Sequence, residues 1–255
     1  MRNIPETIKH LLVINILFFI GAQFLGGISN DLLALHYFKN DKFIITQLLT
    51  HMFMHGSPLH ILFNMFGLWM FGSPLEQMWG RKKFLFFYFS AGFGSAGLQL
   101  LVYHLEIQSI FSILEVNGVS FETFKEILSS GSYNTAILQY VNEESLSSTY
   151  AAYNSSLVGA SGAIYGILVA FAFSFPNSEL MLLFPPIPIK AKYLVPGLIL
   201  MDLFFGFSSF SFFFSLSLPR SRSLSLSLSL SVLFSLSLNS GSRIRRPRGG
   251  TSLKA

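Results

Sequence analysis

Five apolar runs, separated by polar or basic connections, follow one another along most of the chain. They are residues 11–27, 59–75, 84–103, 157–175 and 193–210. Each is close to the length of about 20 apolar residues that a helix needs to cross a bilayer. The first run is too long for a secretory signal and lacks a small-residue cleavage site, so we expect a retained span. The pattern predicts an all-α, polytopic membrane helix bundle, with a sixth candidate span at residues 212–238.

Composition agrees with a membrane protein. The chain has 255 residues, of which 51% are hydrophobic and 11% charged, whereas soluble domains carry about a quarter charged residues. Cysteine is absent, which excludes disulfides and thiolate metal sites. The net charge of +5 comes largely from the last dozen residues. The charge therefore gives no reason to expect a nucleic-acid partner.

Basic residues in the short connections predict the orientation. They precede the first run (Arg2, Lys9), follow the second (Arg81, Lys82, Lys83) and follow the fourth (Lys190, Lys192). Short loops rich in lysine and arginine stay in the cytoplasm. We therefore expect a multi-pass protein of the plasma (inner) membrane, with a cytoplasmic amino terminus. Residues 104–156 then form a long outward-facing loop with six glutamates and one lysine, in which Ile110, Phe111 and Leu114 could form a short surface helix.

Two polar clusters break the apolar runs at the same membrane depth. Gly159-Ala-Ser161-Gly162 opens the fourth run, and His51-x3-His55-x4-His60-x3-Asn64 leads into the second. Both runs pass from outside to inside, and His60 and Asn64 share one helix face because they are four residues apart. A hydroxyl beside imidazole and amide groups suggests acyl chemistry within a bilayer. In this interpretation His60 and Asn64 donate hydrogen bonds to a developing oxyanion.

Simpler interpretations of these residues remain open. Gly159, Gly162 and Gly166 are also typical of a small-residue face on which helices pack closely. His60 and Asn64 could bond each other or a backbone carbonyl. Three histidines could hold a metal or relay protons in a transporter, but no His-Glu-x-x-His motif is present and nearby carboxylates are few. We expect no metal and no cofactor.

The turn after the second run carries one acidic and one basic residue. Glu76 and Arg81, together with Gly72 and Gly80, lie on either side of this tight turn. We expect Glu76 and Arg81 to form an ion pair that anchors the turn. Their role would be structural and not catalytic.

Three segments together resemble the rhomboid family of intramembrane serine proteases. They are Thr50-His-Met-Phe-Met-His-Gly-Ser-Pro-Leu-His-Ile-Leu-Phe-Asn-Met65, Gly72-Ser-Pro-Leu-Glu-Gln-Met-Trp-Gly-Arg81 and Gly159-Ala-Ser-Gly-Ala-Ile-Tyr-Gly166. Their order, spacing and depth all agree with the family, over roughly residues 8–207. The resemblance implies a six-helix bundle, of which this chain shows five clear spans and a degraded sixth.

The resemblance also implies residue roles. Ser161 would be the nucleophile, and His60 and Asn64 would help to form the oxyanion hole. Tyr165 would stack under the catalytic imidazole, and His55 would belong to the hydrogen-bonded scaffold near the site. The glycines at 159 and 162 would let a substrate backbone approach the hydroxyl. The implied partners are transmembrane protein substrates and the lipid bilayer.

The chain departs from the family after its fifth span. The family places its base histidine on the sixth helix, but the histidines here are residues 10, 36, 51, 55, 60 and 104, and none follows Ser161. From residue 208 the chain becomes serine-rich, and Ser-Leu alternation dominates residues 215–238. A CT dinucleotide repeat or a frameshift encodes such a pattern, although a period-2 strand would show it too. We therefore divide the chain into a membrane domain, residues 1–207, and a low-complexity tail, residues 208–255.

These observations predict an intramembrane serine endopeptidase that cleaves transmembrane helices near their outer ends. Because a serine hydroxyl is a weak nucleophile without an adjacent base, we expect the chain as written to be inactive or nearly so. The alternative is a non-catalytic, rhomboid-like membrane protein that binds transmembrane helices.

Overall fold

The computed structural model describes residues 4–181 and 188–207, and this part of the chain is mostly helical. Its α-helices are α1 (Glu6–Leu25), α2 (Gly27–Leu33), α3 (Gln47–Thr50), α4 (Pro58–Gly67), α5 (Ser73–Trp79), α6 (Arg81–Val116), α7 (Phe121–Ser130), α8 (Glu143–Asn154), α9 (Ser161–Ser174) and α10 (Ala191–Phe207). The 3-10 turns are His51–Phe53 and Thr135–Gln139. The sixth candidate span and the low-complexity tail lie outside the described residues.

Two helices of the described part are long and apolar enough to cross a membrane by length and composition, α1 and α6. The apolar helices α9 (Ser161–Ser174) and the first part of α10 (Ala191–Leu200) are shorter. α1 also exposes bulky apolar side chains over most of its length, namely Val13, Ile14, Ile16, Leu17, Ile20 and Phe24. Lipid, and not water, is the solvent that such a surface fits.

The second predicted span is one continuous helical path that contains a π turn. α4 passes through this turn at Leu68–Gly72 directly into α5. Pro74 lies in the first turn of α5, where its missing N–H interrupts the helical hydrogen-bond ladder. The hydroxyl of Ser73 donates to the carbonyl of Trp69 at 2.6 Å, which satisfies one backbone acceptor at this junction.

The third predicted span is much longer than its apolar run. α6 has 36 residues, which corresponds to about 54 Å at about 1.5 Å per residue. Its last thirteen residues continue beyond Tyr103 into the segment that we expected to be a loop. The expectation of a separate surface helix around Ile110, Phe111 and Leu114 is therefore wrong. These apolar residues extend α6 because they pack on the helices that follow it.

Residues 104–154, here called the outer lobe after the orientation that the sequence predicts, form a helical unit with its own apolar core. Ser120 caps α7 by accepting the N–H of Thr123, and Asn142 caps α8 by accepting the N–H of Ser145. The core of the lobe, which also takes in Tyr37 and Tyr103, includes Ile107, Leu114, Phe124, Ile127, Leu128, Ile137, Val141, Leu146, Ala152 and Tyr153. The predicted polar loop is thus a folded lobe that packs against the end of α6.

A second apolar core joins α1, the α4–α5 path, α6, α9 and α10. Its fully buried members include Ile8, Leu68, Leu75, Phe84, Tyr88, Ile167 and Ala170. Two short antiparallel ribbons fix the connections. β1 (Leu35–His36) pairs with β2 (Ser156–Leu157), and β3 (Glu179–Met181) pairs with β4 (Pro188–Lys190). The first ribbon places the segment that enters α9 beside the segment that leaves α2.

Candidate active site

The amino end of α4 carries two of the predicted site residues. Ser57 caps the helix, because its hydroxyl accepts the N–H of His60 at 3.1 Å, and Pro58 occupies the first turn, where a missing N–H does no harm. His60 and Asn64 follow on one face of α4, with 8% and 1% of their surfaces exposed. The helix start therefore fixes both side chains within the protein interior.

Backbone carbonyls hold two of the three clustered histidines. Nδ1 of His51 donates to the carbonyl of Gln47 at 2.8 Å, and Nδ1 of His55 donates to the carbonyl of Phe53 at 3.2 Å. A carbonyl only accepts, so each imidazole carries its proton on Nδ1. His55 then stands edge-on to His60, with 5.0 Å between the ring centroids and 67° between the ring planes. The local backbone therefore holds the His55 ring in contact with His60.

His60 has the opposite tautomer. The backbone N–H of Gly56 points at Nδ1 of His60 at 3.5 Å, which makes this nitrogen an acceptor. The neutral ring must then carry its proton on Nε2. His60 therefore presents an N–H donor on the side of the ring away from its own loop.

Asn64 has an unpartnered amide. Among the described residues neither its nitrogen nor its oxygen has a hydrogen-bond partner, although the side chain is buried. A buried polar group without a partner costs about 1–3 kcal/mol. Such a group in a native fold needs an explanation, such as a bound water or a role in catalysis.

Gly159 brings the serine segment onto these two side chains. Its N–H donates to the carbonyl of His51 at 2.8 Å, and its φ of 114° lies in the region that side chains rarely adopt. A Cβ on this residue would lie 2.8 Å from Nε2 of His60 and 3.5 Å from the amide nitrogen of Asn64. The Gly159 backbone therefore lies directly against the two predicted donors.

Ser161 is the first residue of α9 and is partly exposed. It follows Gly159 by two residues, so their Cα atoms are at most about 7 Å apart. The first N–H groups of a helix have no partner within it and favour negative charge. No described residue hydrogen-bonds the Ser161 hydroxyl. The hydroxyl thus lies at a helix start, close to a segment that faces two N–H donors.

Small residues pack α9 tightly against α6. A Cβ on Gly162 would collide with the side chain of Ser95, and a Cβ on Gly92 would collide with Met52 and approach Ala163 to 3.6 Å. Gly162 therefore lies at a close helix contact. One turn further, Tyr165 is buried, with 4% of its surface exposed. The sixth-span imidazole under which Tyr165 was expected to stack has no counterpart in this chain, because no histidine follows Ser161.

A family model described as Rhomboid domain matches residues 42–121 and 126–217, which is more than half of the chain. The chain belongs to the rhomboid family. Rhomboids are typically intramembrane serine proteases with a polytopic helical fold, so the chain is an integral membrane protein. Its similarity to the Rhomboid protease GluP of Bacillus subtilis (strain 168) is 30% identity over 97 residues, which is 36% of this chain. The match covers 19% of the length of GluP.

The ion pair expected in this rhomboid between Glu76 and Arg81 does not form, and this expectation is wrong. The carboxylate of Glu76 accepts the N–H groups of Thr7 and Ile8 at 3.1 and 3.0 Å, while Arg81 is exposed. Thr7 and Ile8 lie in the first turn of α1, where N–H groups lack helical partners. The Glu76 carboxylate is buried beside these two N–H donors, whereas the Arg81 guanidinium stays in contact with solvent. Glu76 therefore ties α5 to α1.

The metal alternative finds no support in the part of the rhomboid chain that the structure describes. No group of three or more histidine, aspartate or glutamate residues comes together there in a way that could hold a metal ion. His51 and His55 each donate one ring N–H to a backbone carbonyl, so the local backbone sets the orientation of both rings.

Two residues near the site were missed by the sequence analysis. Gln47 is fully buried and supports the loop before His51, and Ser95 is the residue of α6 that meets Gly162. Gln47 lies four residues before His51, a spacing that could have drawn attention to it. Ser95 belongs to the run Gly92-Phe-Gly-Ser95, whose small residues indicate a helix contact but not its partner.

Proposed function

We propose that the chain has the site of an intramembrane serine endopeptidase. In this proposal the Ser161 hydroxyl attacks a peptide carbonyl, and the N–H groups of His60 Nε2 and the Asn64 amide stabilise the resulting oxyanion. The observation that carries the proposal is the approach of the Gly159 backbone to both donors. Preorganised donors of this kind are worth about 3–4 kcal/mol each in acyl transfer.

The reaction has two halves that share this oxyanion site. Attack by Ser161 forms the tetrahedral intermediate, which collapses to an acyl-enzyme when the C–N bond breaks and the leaving amine takes up a proton. Water then attacks the acyl carbonyl, loses a proton, and the Ser161 oxygen leaves with one. Each half needs a group that removes a proton from the nucleophile and returns it to the leaving group.

The chain as written offers no histidine after Ser161 for this proton transfer. We infer that its hydrolysis rate is lower by several orders of magnitude than that of an enzyme with a complete dyad, since loss of one member of a catalytic unit leaves only residual catalysis. Reactivity of the hydroxyl toward a strong electrophile should persist. An activated phosphonate demands less of the base than a peptide bond does.

The inferred substrates are transmembrane helices cut near their outer ends. Ser161 is at the start of α9, which the basic loops orient toward the outside, so the scissile bond must lie near the outer surface. A helical substrate must unwind locally for its carbonyl to reach the hydroxyl. Small and helix-destabilising residues should therefore favour cleavage. In the same proposal the protein lies in the plasma membrane, and its amino terminus is in the cytoplasm.

The proposal is tested with the full chain in lipid nanodiscs, with a fluorophosphonate probe and a transmembrane substrate. We expect slow labelling of the wild type and no labelling of Ser161→Ala. The control Ser147→Ala, whose serine is exposed on α8, should be labelled at the same rate as the wild type. Cleavage should be close to background and should rise when imidazole is added as an external base. Labelling that persists in Ser161→Ala would refute the assignment of the nucleophile.

The second candidate is a binding protein that holds transmembrane helices without cutting them. The missing histidine favours it. Its signature would be tight binding of the substrate helix together with no Ser161 labelling and no rescue by imidazole. The intact pair of donors facing Gly159 favours the protease, because a binding protein has no need of an unpartnered amide at this position.

A further inference from the structure

The outer lobe contains a cavity of about 310 Å³, formed between the extension of α6, helix α7 and the segment that follows β1. Half of the residues that line it are aromatic, namely Tyr37, Phe111, Phe121, Phe124 and Tyr153. A cavity of about 150 Å³ is known to hold benzene, and ligand sites begin near 300 Å³. The cavity is therefore large enough for one bulky side chain or a small ligand.

The two tyrosine hydroxyls of the wall are already used within the protein. The Tyr37 hydroxyl hydrogen-bonds Nδ1 of His104 at 2.8 Å, and the Tyr153 hydroxyl donates to the carbonyl of Lys39 at 3.2 Å. Burial raises the pKa of Tyr37 to about 12, so this ring stays neutral. The two tyrosines consequently contribute aromatic rings to the wall, while their hydroxyl groups are already bonded.

Two ammonium groups lie at the rim. Lys125 is paired with Asp41 at 3.1 Å. Lys39 has its Nζ 5.9 Å from the centroid of Phe121 and no carboxylate within salt-bridge distance among the described residues. An exposed cation without an acidic partner, placed over an aromatic wall, suits a ligand that brings a carboxylate next to an apolar group.

In the predicted topology, in which the apolar run of α6 ends at Tyr103, the cavity lies just above the membrane span. Its wall takes residues 107, 108 and 111 from α6, which are four to eight residues beyond the end of the apolar run at Tyr103. At about 1.5 Å per residue this is about 6–12 Å outside the hydrocarbon, at the level of the head groups. An extended peptide that leaves the membrane passes this level within about two to four residues.

A short ribbon connects the cavity to the serine segment. Tyr37 directly follows β1 and Tyr153 precedes β2, and these strands pair as Leu35↔Leu157 and His36↔Ser156. The ribbon ends two residues before Gly159. Since Tyr153 lies eight positions before Ser161, their Cα atoms are at most about 29 Å apart. One extended segment of a substrate can span this distance.

We propose that this cavity receives an aromatic side chain from the outer juxtamembrane segment of the transmembrane substrate, with a neighbouring substrate carboxylate at Lys39. This inference rests on the proposed function and on its orientation of the outer lobe. Aromatic side chains are enriched where transmembrane helices meet the head groups, so suitable substrates are common. An aromatic wall also favours an aromatic guest through edge-to-face contacts.

A membrane lipid suits the cavity less well than a side chain. The volume is at the lower limit for ligand sites. The surface of the lobe is acidic, since residues 104–156 contain six glutamates and one lysine, and this repels anionic head groups. A single substrate carboxylate at Lys39 meets a much weaker repulsion than a charged lipid surface does.

The test measures binding, so that it does not depend on cleavage. The probe is a fluorescent transmembrane peptide with Trp-Asp as the second and third residues outside its span, compared with an Ala-Asn peptide, each with the full chain in nanodiscs. Gln108 is half-buried in the cavity wall, and Gln108→Trp should fill the cavity from α6. Gln139→Trp is the matched control, because Gln139 is exposed in a 3-10 turn outside the wall.

We expect the Trp-Asp peptide to bind the wild type and Gln139→Trp about three- to thirtyfold more tightly than the Ala-Asn peptide. Gln108→Trp should bind both peptides equally, and Phe121→Ala should reduce the preference. Lys39→Glu should remove the contribution that the aspartate of the Trp-Asp peptide makes to this preference. The inference is overturned if the preference for the Trp-Asp peptide survives in Gln108→Trp. It is also overturned if the wild type binds both peptides equally and co-purifies with a lipid that Gln108→Trp does not retain.

The outcome separates this inference from the proposed function. Equal binding of the two peptides with intact Ser161 labelling leaves the protease proposal standing and removes only the cavity assignment. A clear preference for the Trp-Asp peptide without Ser161 labelling supports the cavity assignment and removes the protease proposal. Ser161→Ala should leave the preference unchanged, since the serine lies outside the cavity.

Discussion

Gly159 and His60 are so close that residue 159 has no room for a side chain. A Cβ there would lie 2.8 Å from both Cε1 and Nε2 of His60, a separation that real Cβ atoms essentially never show. The φ of Gly159, 114°, excludes other residues for an independent reason. Two physical constraints therefore require glycine where the serine segment meets the donors.

Gly159→Ala should abolish Ser161 labelling and destabilise the fold. Backbone strain and the collision with His60 each cost about 1–3 kcal/mol, so we expect a combined loss of about 2–6 kcal/mol. Phosphonate labelling and thermal unfolding in detergent measure the two effects. Gly118→Ala is the control, because Gly118 has a φ of 83° but no atom lies within 4 Å of the position that its Cβ would take. Gly118→Ala should lower stability only by the backbone strain and should leave Ser161 labelling intact. Unchanged labelling in Gly159→Ala would contradict the proposed site.

Removal of the Glu76 carboxylate should loosen α1 from the bundle. Glu76→Ala leaves the N–H groups of Thr7 and Ile8 without partners, and we expect a loss of about 2–4 kcal/mol of unfolding free energy. Glu76→Gln keeps one acceptor oxygen and should lose about half as much. The thermal midpoint of the purified chain measures this, at about 2–4 °C per kcal/mol for a domain of this size.

The matched controls for Glu76 distinguish the helix cap from an ion pair. Glu6→Ala removes an exposed carboxylate that pairs with Lys9, and should leave the stability nearly unchanged. Arg81→Ala should be equally silent, because Glu76 makes its hydrogen bonds elsewhere. A large loss in Arg81→Ala would restore the ion pair that the sequence suggested.

Local spacing explains what the sequence could predict about the site. His60 and Asn64 share a helix face because four residues nearly complete one turn, and Ser57-Pro58 is typical of a helix start. Gly159 was expected to let a substrate backbone approach Ser161, and its contact with His60 was not foreseen. These inferences need only a helical period and a capping rule, both of which act within a few residues.

Long-range partners were beyond the same reasoning. Glu76 bonds residues 68 and 69 positions away in the chain, whereas Arg81 is only five positions away and looked like the natural partner. The outer lobe was missed for a related reason. Its apolar residues are too sparse to indicate a core until α6 continues past Tyr103 and gives them a surface on which to pack.

The contact between Gly162 and Ser95 should behave as a coupled pair. Gly162→Ala places a methyl group onto the Ser95 side chain and should cost about 1–3 kcal/mol through overpacking. Ser95→Gly alone should cost about 1 kcal/mol, because glycine disfavours a helix interior. The double variant should recover much of the Gly162→Ala loss, since the next atom of residue 95, Cα, is 4.0 Å from the new methyl group. Additive losses in a double-mutant cycle would show that α9 and α6 do not meet there.

Two buried amides of this rhomboid should respond in opposite directions to the same kind of substitution. Gln47 has all its bonds satisfied: its oxygen accepts the N–H groups of His36 and Ile44, and its nitrogen donates to the carbonyls of Asp31 and Lys42. The Asn64 amide has no partner among the described residues. The first amide supports the fold, and the second is retained at a cost to it.

Asn64→Leu should therefore raise stability while it lowers reactivity. Leucine has nearly the shape of asparagine, and it removes an unpaired buried amide that costs about 1–3 kcal/mol, so the thermal midpoint should rise by a few degrees. Loss of one oxyanion donor should slow Ser161 labelling by about a hundredfold or more. Gln47→Leu should instead lower the midpoint sharply, because four backbone groups lose their partner. A fall in stability for Asn64→Leu would mean that the amide is hydrogen-bonded within the fold, and its assignment to the oxyanion site would then lose its main support.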